Sequence, residues 1–153
     1  MTKVIIYADG GCRGNQNVTN VGGWGAVLRQ GDHLKMIKGY DFNTTNNKME
    51  LTAAIKALEA IKRNRNPIEV YMDSAYVVNG INQWVEGWIR RNWRKSDKKP
   101  VENKELWQQL HKLKTELGFV SFIKVKGHAG VDDNEIADQL ANEAMDEAQM
   151  GGN

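Results

Sequence analysis

Residues 3–11 read Lys3-Val4-Ile5-Ile6-Tyr7-Ala8-Asp9-Gly10-Gly11. The β-branched and apolar start of this stretch predicts a short buried strand over Lys3–Ala8, ended by the two glycines. A second run of the same kind, Ile68–Met72, is also followed by an aspartate, Asp73. Ligands of open α/β sheets bind beyond the carboxyl ends of the strands. If these two strands are neighbours, Asp9 and Asp73 lie side by side.

The rest of the chain alternates between strand-like and helix-like patterns. Two more strands, Trp24–Gln30 and Leu34–Tyr40, turn at Gln30-Gly31-Asp32 and complete an antiparallel meander. Helices are predicted over Thr45–Arg63, Ser74–Trp88, Asn103–Leu117 and Asp132–Ala148. The last of these helices carries Ile136, Leu140, Ala144 and Ala148 on one face, and a last strand is predicted over Phe119–Val125. Crossover helices make the later strands parallel to the first, so the fold class is α/β with a mixed sheet flanked by helices.

Length and composition set limits on the class of protein. The 153 residues suffice for one domain, and 41% hydrophobic and 26% charged residues exclude a disordered tail protein, a coiled coil or a collagen-like fibre. No apolar run approaches the roughly 20 residues that span a bilayer, and the N-terminus becomes polar too early for a signal peptide. The single cysteine, Cys12, excludes an internal disulfide. We therefore expect a cytoplasmic protein that does not bind membranes.

The charges are segregated along the chain, although 21 basic and 19 acidic residues leave a net charge of only +2. Residues 84–104 contain seven Lys or Arg and three acids, whereas residues 132–148 contain seven acids and no Lys or Arg. Basic residues interleaved with Trp88 and Trp93 suit a nucleic-acid backbone. The alternative is a solvated basic face over core tryptophans, and helical spacing favours core packing for Trp84, Trp88 and Trp107.

Two further acids are candidates for the same site. Glu50 shares a helical stripe with Ala54, Ala57 and Ile61, which faces it inward, unless it closes a capping box with Asn47. Asp138, on the acidic last helix, is by spacing alone an ordinary exposed acid. Asp9 and Asp73 also have plain alternatives, a turn residue and a helix N-cap respectively.

Four carboxylates that meet in one place would repel each other unless a divalent cation binds them. Oxygen-only ligands favour Mg²⁺ or Mn²⁺, and Cys12 with three scattered histidines (His33, His111 and His128) offers no zinc spacing. A carboxylate site of this kind suits phosphoryl transfer with two metal ions.

Several motifs together resemble ribonuclease H type 1. They are Tyr7-Ala8-Asp9-Gly10-Gly11, Gly22-Gly23-Trp24-Gly25-Ala26, Thr44-Thr45-Asn46-Asn47-Lys48-Met49-Glu50-Leu51, Asp73-Ser74-Ala75-Tyr76-Val77, Lys126-Gly127-His128-Ala129-Gly130 and Asn134-Glu135-Ile136-Ala137-Asp138. Order and spacing match from about Lys3 to Met145. The resemblance implies a ribonuclease H-like fold with a five-stranded sheet, one catalytic domain over 1–153, a basic protrusion at about 84–104 and a few disordered C-terminal residues.

The resemblance also implies an activity. The family hydrolyses the RNA strand of RNA·DNA hybrids, giving 5′-phosphate and 3′-hydroxyl ends, with two Mg²⁺ ions that Mn²⁺ is able to replace. Asp9, Glu50, Asp73 and Asp138 match its metal-binding catalytic carboxylates, and His128 its catalytic histidine. The matching RNA-strand positions are Gly10, Gly11, Cys12, Asn15, Asn46 and Asn47, and the matching DNA-strand positions are Thr45, Trp84, Arg90, Arg91 and Asn103. We expect a monomer.

Three departures from the family pattern affect substrate contacts. Ala75 stands where the family often has Gln, and the loop over Gly14–Val21 is longer than usual. No hybrid-binding module precedes the first strand, and we therefore predict distributive cleavage.

Two other functions are alternatives. An integrase or junction resolvase of the same broad fold is the alternative enzyme, and an inactive nucleic-acid-binding module is the alternative without catalysis. A phosphatase with an aspartyl nucleophile is disfavoured because no second Asp stands two residues after Asp9.

Overall fold

The computed structural model describes residues 2–14, 19–61, 65–125 and 132–151, and it centres on one five-stranded sheet in the order β3-β2-β1-β4-β5. The strands are β1 Val4–Arg13, β2 Val21–Gln30, β3 His33–Phe42, β4 Ile68–Met72 and β5 Val120–Lys124. The first three strands pair antiparallel, and β4 and β5 run parallel to β1 and to each other. The predicted mixed sheet, with its meander and its parallel half, is confirmed.

Strand β1 is longer than its apolar run. Lys3–Ala8 was predicted to end at the glycines, but the ladder with β2 continues through Asp9↔Gly25 to Arg13↔Val21. Gly10 and Gly11 therefore form strand backbone because β2 supplies the hydrogen-bonding partners. Asp9 is an interior strand residue, so its interpretation as a turn residue is wrong.

The helices cross between the parallel strands and cover the sheet. They are α1 Asn46–Glu59, α2 Ala75–Asn79, a π-helical turn Gly80–Trp84, α3 Val85–Arg90, α4 Lys104–Leu117 and α5 Asp132–Gly151. The helix predicted over Thr45–Arg63 ends at Glu59, and residues 62 and 63 lie outside the described residues. The helix predicted over Ser74–Trp88 is interrupted by the π turn. Within the described part of the chain, no helix is both long and apolar enough to cross a membrane.

The helix ends show which polar residues act as caps. The Thr45 hydroxyl accepts a hydrogen bond from the Lys48 amide, and the Ser74 hydroxyl accepts one from the Val77 amide. Ser74, and not Asp73, is therefore the N-cap of α2, which leaves the Asp73 carboxylate available for another role. Helix α4 stops at Gly118, whose φ of 90° few other residues adopt.

Helix α5 lies directly on the glycine-rich part of β2. A methyl group at Gly23 or Gly25 would overlap backbone atoms of Ala141 and Ala137, so only glycine allows this approach. The buried face of α5 consists of Asn134, Ala137, Ala141, Ala144, Met145 and Ala148. The predicted face was therefore wrong for Ile136 and Leu140, which are half-buried. The helix continues to Gly151, and residues 152 and 153, expected to be disordered, lie outside the described residues.

Candidate active site

Three of the four predicted acids meet at one end of the central strands. Asp9 lies inside β1, Asp73 follows the end of β4, and Glu50 lies in the second turn of α1. One carboxylate oxygen from each lies within 4.8 Å of the others, and Asp9 and Glu50 are each only 7% exposed. The neighbouring parallel strands β1 and β4 bring the two aspartates together, as the sequence predicted.

Glu50 is held in this cluster by the backbone of β1. Its Oε1 accepts a hydrogen bond of 2.6 Å from the Gly10 amide. A side chain at Gly10 would overlap the backbone of Met49 and Glu50, so the glycine lets α1 contact β1 directly. The capping-box alternative for Glu50 is wrong, because this carboxylate binds a residue 40 positions away and not the start of its own helix.

Asp138 reaches the same cluster from α5. Its side chain helps to raise the pKa of Asp9, as the smallest of several causes, although it lies outside the close group formed by Asp9, Glu50 and Asp73. The residue before it, Ala137, packs against Gly25, which is the ladder partner of Asp9. Asp138 is half-buried, so its interpretation as an ordinary exposed acid is wrong.

The electrostatics of the cluster are unfavourable for carboxylates alone. Burial, and then repulsion from Glu50, raise the pKa of Asp9 to about 10. Burial also raises the pKa of Glu50 to about 7, although the hydrogen bond from the Gly10 amide acts in the opposite direction. Removing carboxylates from water while they face one another disfavours their charged forms. A cation bound between them would reverse this effect.

The donor set fits a hard divalent cation. The Glu50 Oε2 atom is buried and accepts no hydrogen bond from any described residue. A buried, unpartnered carboxylate oxygen is costly unless something positive binds it. The ligand atoms offered by Asp9, Glu50 and Asp73 are all carboxylate oxygens. An oxygen-only set of ligands favours Mg²⁺ or Mn²⁺ over zinc.

The segment that leads into α1 lies close to this cluster. Thr45, Asn46 and Asn47 are exposed, whereas Thr44 is buried and its carbonyl lies 3.7 Å from the Cys12 sulfur. Gly10, Gly11 and Cys12 continue β1 beyond Asp9. The contact between Cys12 and Thr44 therefore brings the far end of β1 close to the segment that leads into α1. Asn15 lies outside the described residues, as do three other residues of the long loop, 16–18, and His128.

Sequence reasoning missed one residue in this region. Asn20 donates to the Thr44 carbonyl through Nδ2 (2.9 Å) and accepts from the Thr44 amide through Oδ1 (2.8 Å). No local pattern indicates this contact, because its partner lies 24 residues away. The only sequence signal is that Asn20 belongs to the unusually long loop.

The predicted basic protrusion extends from α3 to the start of α4. Arg90, Arg91, Arg94, Lys98 and Lys99 are exposed, and Lys95 is half-buried. A bridge between Arg94 and Pro100 closes the loop, and the Lys95 amide donates to the Lys99 carbonyl (2.8 Å). None of the basic residues at 84–104 forms an ion pair with a described carboxylate. These cations are therefore available to an external polyanion.

An aromatic cluster supports the protrusion. Ring centroids of Tyr76, Trp84, Trp88, Trp93 and Trp107 form a chain of contacts between 5.2 and 6.3 Å. Trp107 is fully buried, as predicted, but the expected core packing is wrong for Trp84, which is 38% exposed. The Tyr76 hydroxyl accepts hydrogen bonds from Asn103 Nδ2 and Trp107 Nε1 (3.1 and 3.0 Å) and so fixes the Asn103 side chain.

Known proteins share both the sequence and this architecture. The family model described as RNase H matches residues 1–146. The ribonuclease H of Ruthia magnifica subsp. Calyptogena magnifica is 50% identical over 146 residues, 95% of this chain and 97% of its own. That of Clostridium botulinum (strain Hall) is 51% identical over 148 residues, 96% of this chain and 98% of its own. LC11-RNase H1, solved in complex with an RNA/DNA hybrid, is 30% identical with a TM-score of 0.71, over 95% of this chain and 99% of that one.

The match extends over nearly the whole chain and includes the strands and helices that carry the acidic cluster. The chain belongs to the RNase H family, type 1. The family and the enzyme class predicted from the sequence motifs are therefore confirmed.

Proposed function

We propose that this protein hydrolyses the RNA strand of RNA·DNA hybrids with two Mg²⁺ ions bound at Asp9, Glu50, Asp73 and Asp138, leaving 5′-phosphate and 3′-hydroxyl ends. The observation that carries the proposal is the close, mutually repelling set of Asp9, Glu50 and Asp73 oxygens, in which Asp9 and Glu50 are buried and Glu50 Oε2 accepts no hydrogen bond from a described residue. The relative that was solved with an RNA/DNA hybrid supports the substrate. Mn²⁺ is expected to replace Mg²⁺, because the same oxygen ligands suit both ions.

The chain's own contribution to the chemistry is positioning. The ions would supply an activated water and charge stabilisation at the leaving oxygen. Asp9 and Glu50 are fixed by the β1 ladder and by the Gly10 amide, so their oxygens need little reorganisation when the substrate binds. Asp73 and Asp138 are less buried than Asp9 and Glu50, and we propose that they complete the set of metal ligands. His128 is proposed to assist proton transfer or product release.

Two surfaces are proposed to bind the two strands. The RNA strand would contact Gly10, Gly11, Cys12, Asn15, Asn46 and Asn47, whose amides and short side chains suit the 2′-hydroxyls of a wide, shallow minor groove. The DNA strand would contact Thr45, Trp84, Arg90, Arg91 and Asn103. The exposed cations of the protrusion support this second surface, because they form no ion pair with a described carboxylate and phosphate binding needs free positive charge.

The decisive experiment compares RNA·DNA, RNA·RNA and DNA·DNA duplexes of one sequence, incubated with Mg²⁺ and then with EDTA. We expect only the RNA strand of the hybrid to be cut, and only with Mg²⁺, and end analysis to show 5′-phosphates. Cleavage of DNA·DNA would favour the integrase or resolvase alternative. Hybrid binding without cleavage would favour the inactive binding module.

We further propose that the whole chain acts as one domain, as a monomer and in the cytoplasm. Support comes from the single sheet that all described strands join and from the presence of only one cysteine. Sedimentation analysis at micromolar concentration tests the monomer, which should have the mass of one 17.3 kDa chain.

A further inference from the structure

The chain changes direction between β3 and α1, next to the proposed RNA-strand surface. The ladder between β2 and β3 ends at Val21↔Phe42, and Asn43 adopts a φ of 53°. The Asn43 amide still donates to the Asn20 carbonyl at 3.1 Å. Beyond Asn43 the backbone has left the strand direction, so Thr44 pairs with none of the described strands.

The Asn20 carboxamide takes the place of that partner. Its Oδ1 accepts from the Thr44 amide at 2.8 Å and its Nδ2 donates to the Thr44 carbonyl at 2.9 Å. Thr44 is 5% exposed, so its backbone groups need partners within the protein. Gly14, with a φ of 116°, lies directly against the Cα of Asn20.

The contact between Asn20 and Thr44 anchors residues 44–47, a segment that the acidic cluster does not hold in place. Thr45 begins α1 as its cap, and Asn46 and Asn47 follow as exposed residues. The catalytic end of the same helix has separate anchors, which are the Gly10–Glu50 hydrogen bond and the buried Met49 and Leu51. Loss of the Asn20 contact should therefore loosen residues 44–47 and leave Glu50 in place.

We infer that Asn20 is a positioning residue for substrate binding, because its side chain fixes the Thr44–Asn47 segment against the hybrid. The inference rests on the proposed function, in which Thr45, Asn46 and Asn47 contact the two strands. A residue that acts only through this segment should change KM and leave kcat and metal affinity unchanged. Asn20 directly precedes β2 and its carbonyl accepts from the Asn43 amide, so the end of the β2–β3 hairpin holds Asn20 beside Thr44.

The test compares Asn20→Ala with Thr19→Ala, a matched change at an exposed position in the same loop. Steady-state cleavage of one hybrid is measured with saturating Mg²⁺, and the Mg²⁺ dependence is titrated separately. For N20A we expect KM to rise about tenfold, because hybrid binding must then reorder the segment that the two lost hydrogen bonds had fixed. The kcat and the half-saturating Mg²⁺ concentration should stay within about twofold of wild type, and T19A should match wild type throughout.

Asn20→Asp is the second variant. It keeps an acceptor for the Thr44 amide but places a carboxylate oxygen against the Thr44 carbonyl, so KM should rise at least as much as in N20A. If N20A is unfolded at the assay temperature, all variants are compared at a lower temperature at which circular dichroism shows N20A to be folded. An unchanged KM, or a fall in kcat at constant KM, would overturn the inference. A wild-type protein that does not cleave the hybrid would instead refute the proposed function, which separates the two failures.

Discussion

The acidic cluster and the basic protrusion hold their charges in opposite ways. In the cluster, Asp9 and Glu50 are buried beside each other, and each is fixed by a β1 contact. In the protrusion, Arg90 and Arg91 are exposed and have no described carboxylate partner. A buried, coupled site should respond to a single change with a large loss, whereas solvated charges that act together should respond in small, graded steps.

The largest effect is expected at the centre of the cluster. Asp9→Asn removes one negative ligand at nearly constant size, so turnover should fall by at least about 10³-fold. The dissociation constant for the hybrid, measured by fluorescence anisotropy, should change less than about threefold, because the protrusion is intact. Equal losses of binding and turnover would show that Asp9 supports the fold or the substrate and not the reaction.

The next effect concerns the close contact that places Glu50. Gly10→Ala inserts a methyl into the backbone of Met49 and Glu50, and we expect the free energy of unfolding to fall by about 3 kcal/mol. Gly11→Ala is the matched control, because a side chain there meets open space, and it should stay within about 0.5 kcal/mol of wild type. Urea denaturation measures both. Similar stabilities for the two variants would contradict this packing.

The third effect is a pH dependence of stability in the metal-free protein. The pKa of Asp9 is raised to about 10 in the folded state, against about 3.9 when unfolded. Its contribution to stability is therefore fully present below about pH 4 and is lost as the pH rises toward 10. Between pH 5 and pH 6.5 the wild type should lose about 2 kcal/mol more than Asp9→Asn does. Parallel pH profiles of the two proteins would disprove the assigned cause.

The smallest effect is expected in the protrusion. The double change Arg90→Ala and Arg91→Ala should raise KM about tenfold. It should also reduce, by about 2, the magnitude of the slope of the logarithm of the hybrid association constant against the logarithm of salt concentration. Lys112→Ala on α4 removes a charge of similar exposure outside the protrusion and serves as the control. A salt slope that stays at the wild-type value would show that neither arginine contacts phosphate.

The sequence predicted the parts of the fold that depend on local patterns. The apolar run of Ile68–Met72 and the stop at Gly118 are both present in the structure. It misplaced the end of β1, because Gly10 and Gly11 become strand only through pairing with β2. It misplaced the buried face of α5 for a similar reason, since Gly23 and Gly25 admit the alanines more closely than hydrophobicity indicates.

The candidate site followed the same division. Asp9 and Asp73 were predicted together because neighbouring parallel strands end at one edge. Periodicity left Glu50 open and favoured an ordinary exposed acid for Asp138, because the orientation of both side chains depends on contacts with β1 and β2 that no local pattern encodes. Asn20 was missed entirely, because its hydrogen bonds join the residue before β2 to Thr44, which follows β3 and lies 24 positions away in the sequence.

We assign cleavage to the acidic cluster and hybrid binding to the protrusion. This division is tested most directly by single-turnover cleavage, with enzyme in excess of the hybrid and at a concentration above the dissociation constant of every variant. Under these conditions binding no longer limits the rate, so only the chemical step is measured. The Arg90→Ala and Arg91→Ala double variant should cleave within about twofold of the wild-type rate, and Asp9→Asn should remain at least about 10³-fold slower. A double variant that cleaves more than about tenfold more slowly than wild type at saturation would contradict this division, because the protrusion would then take part in the chemical step.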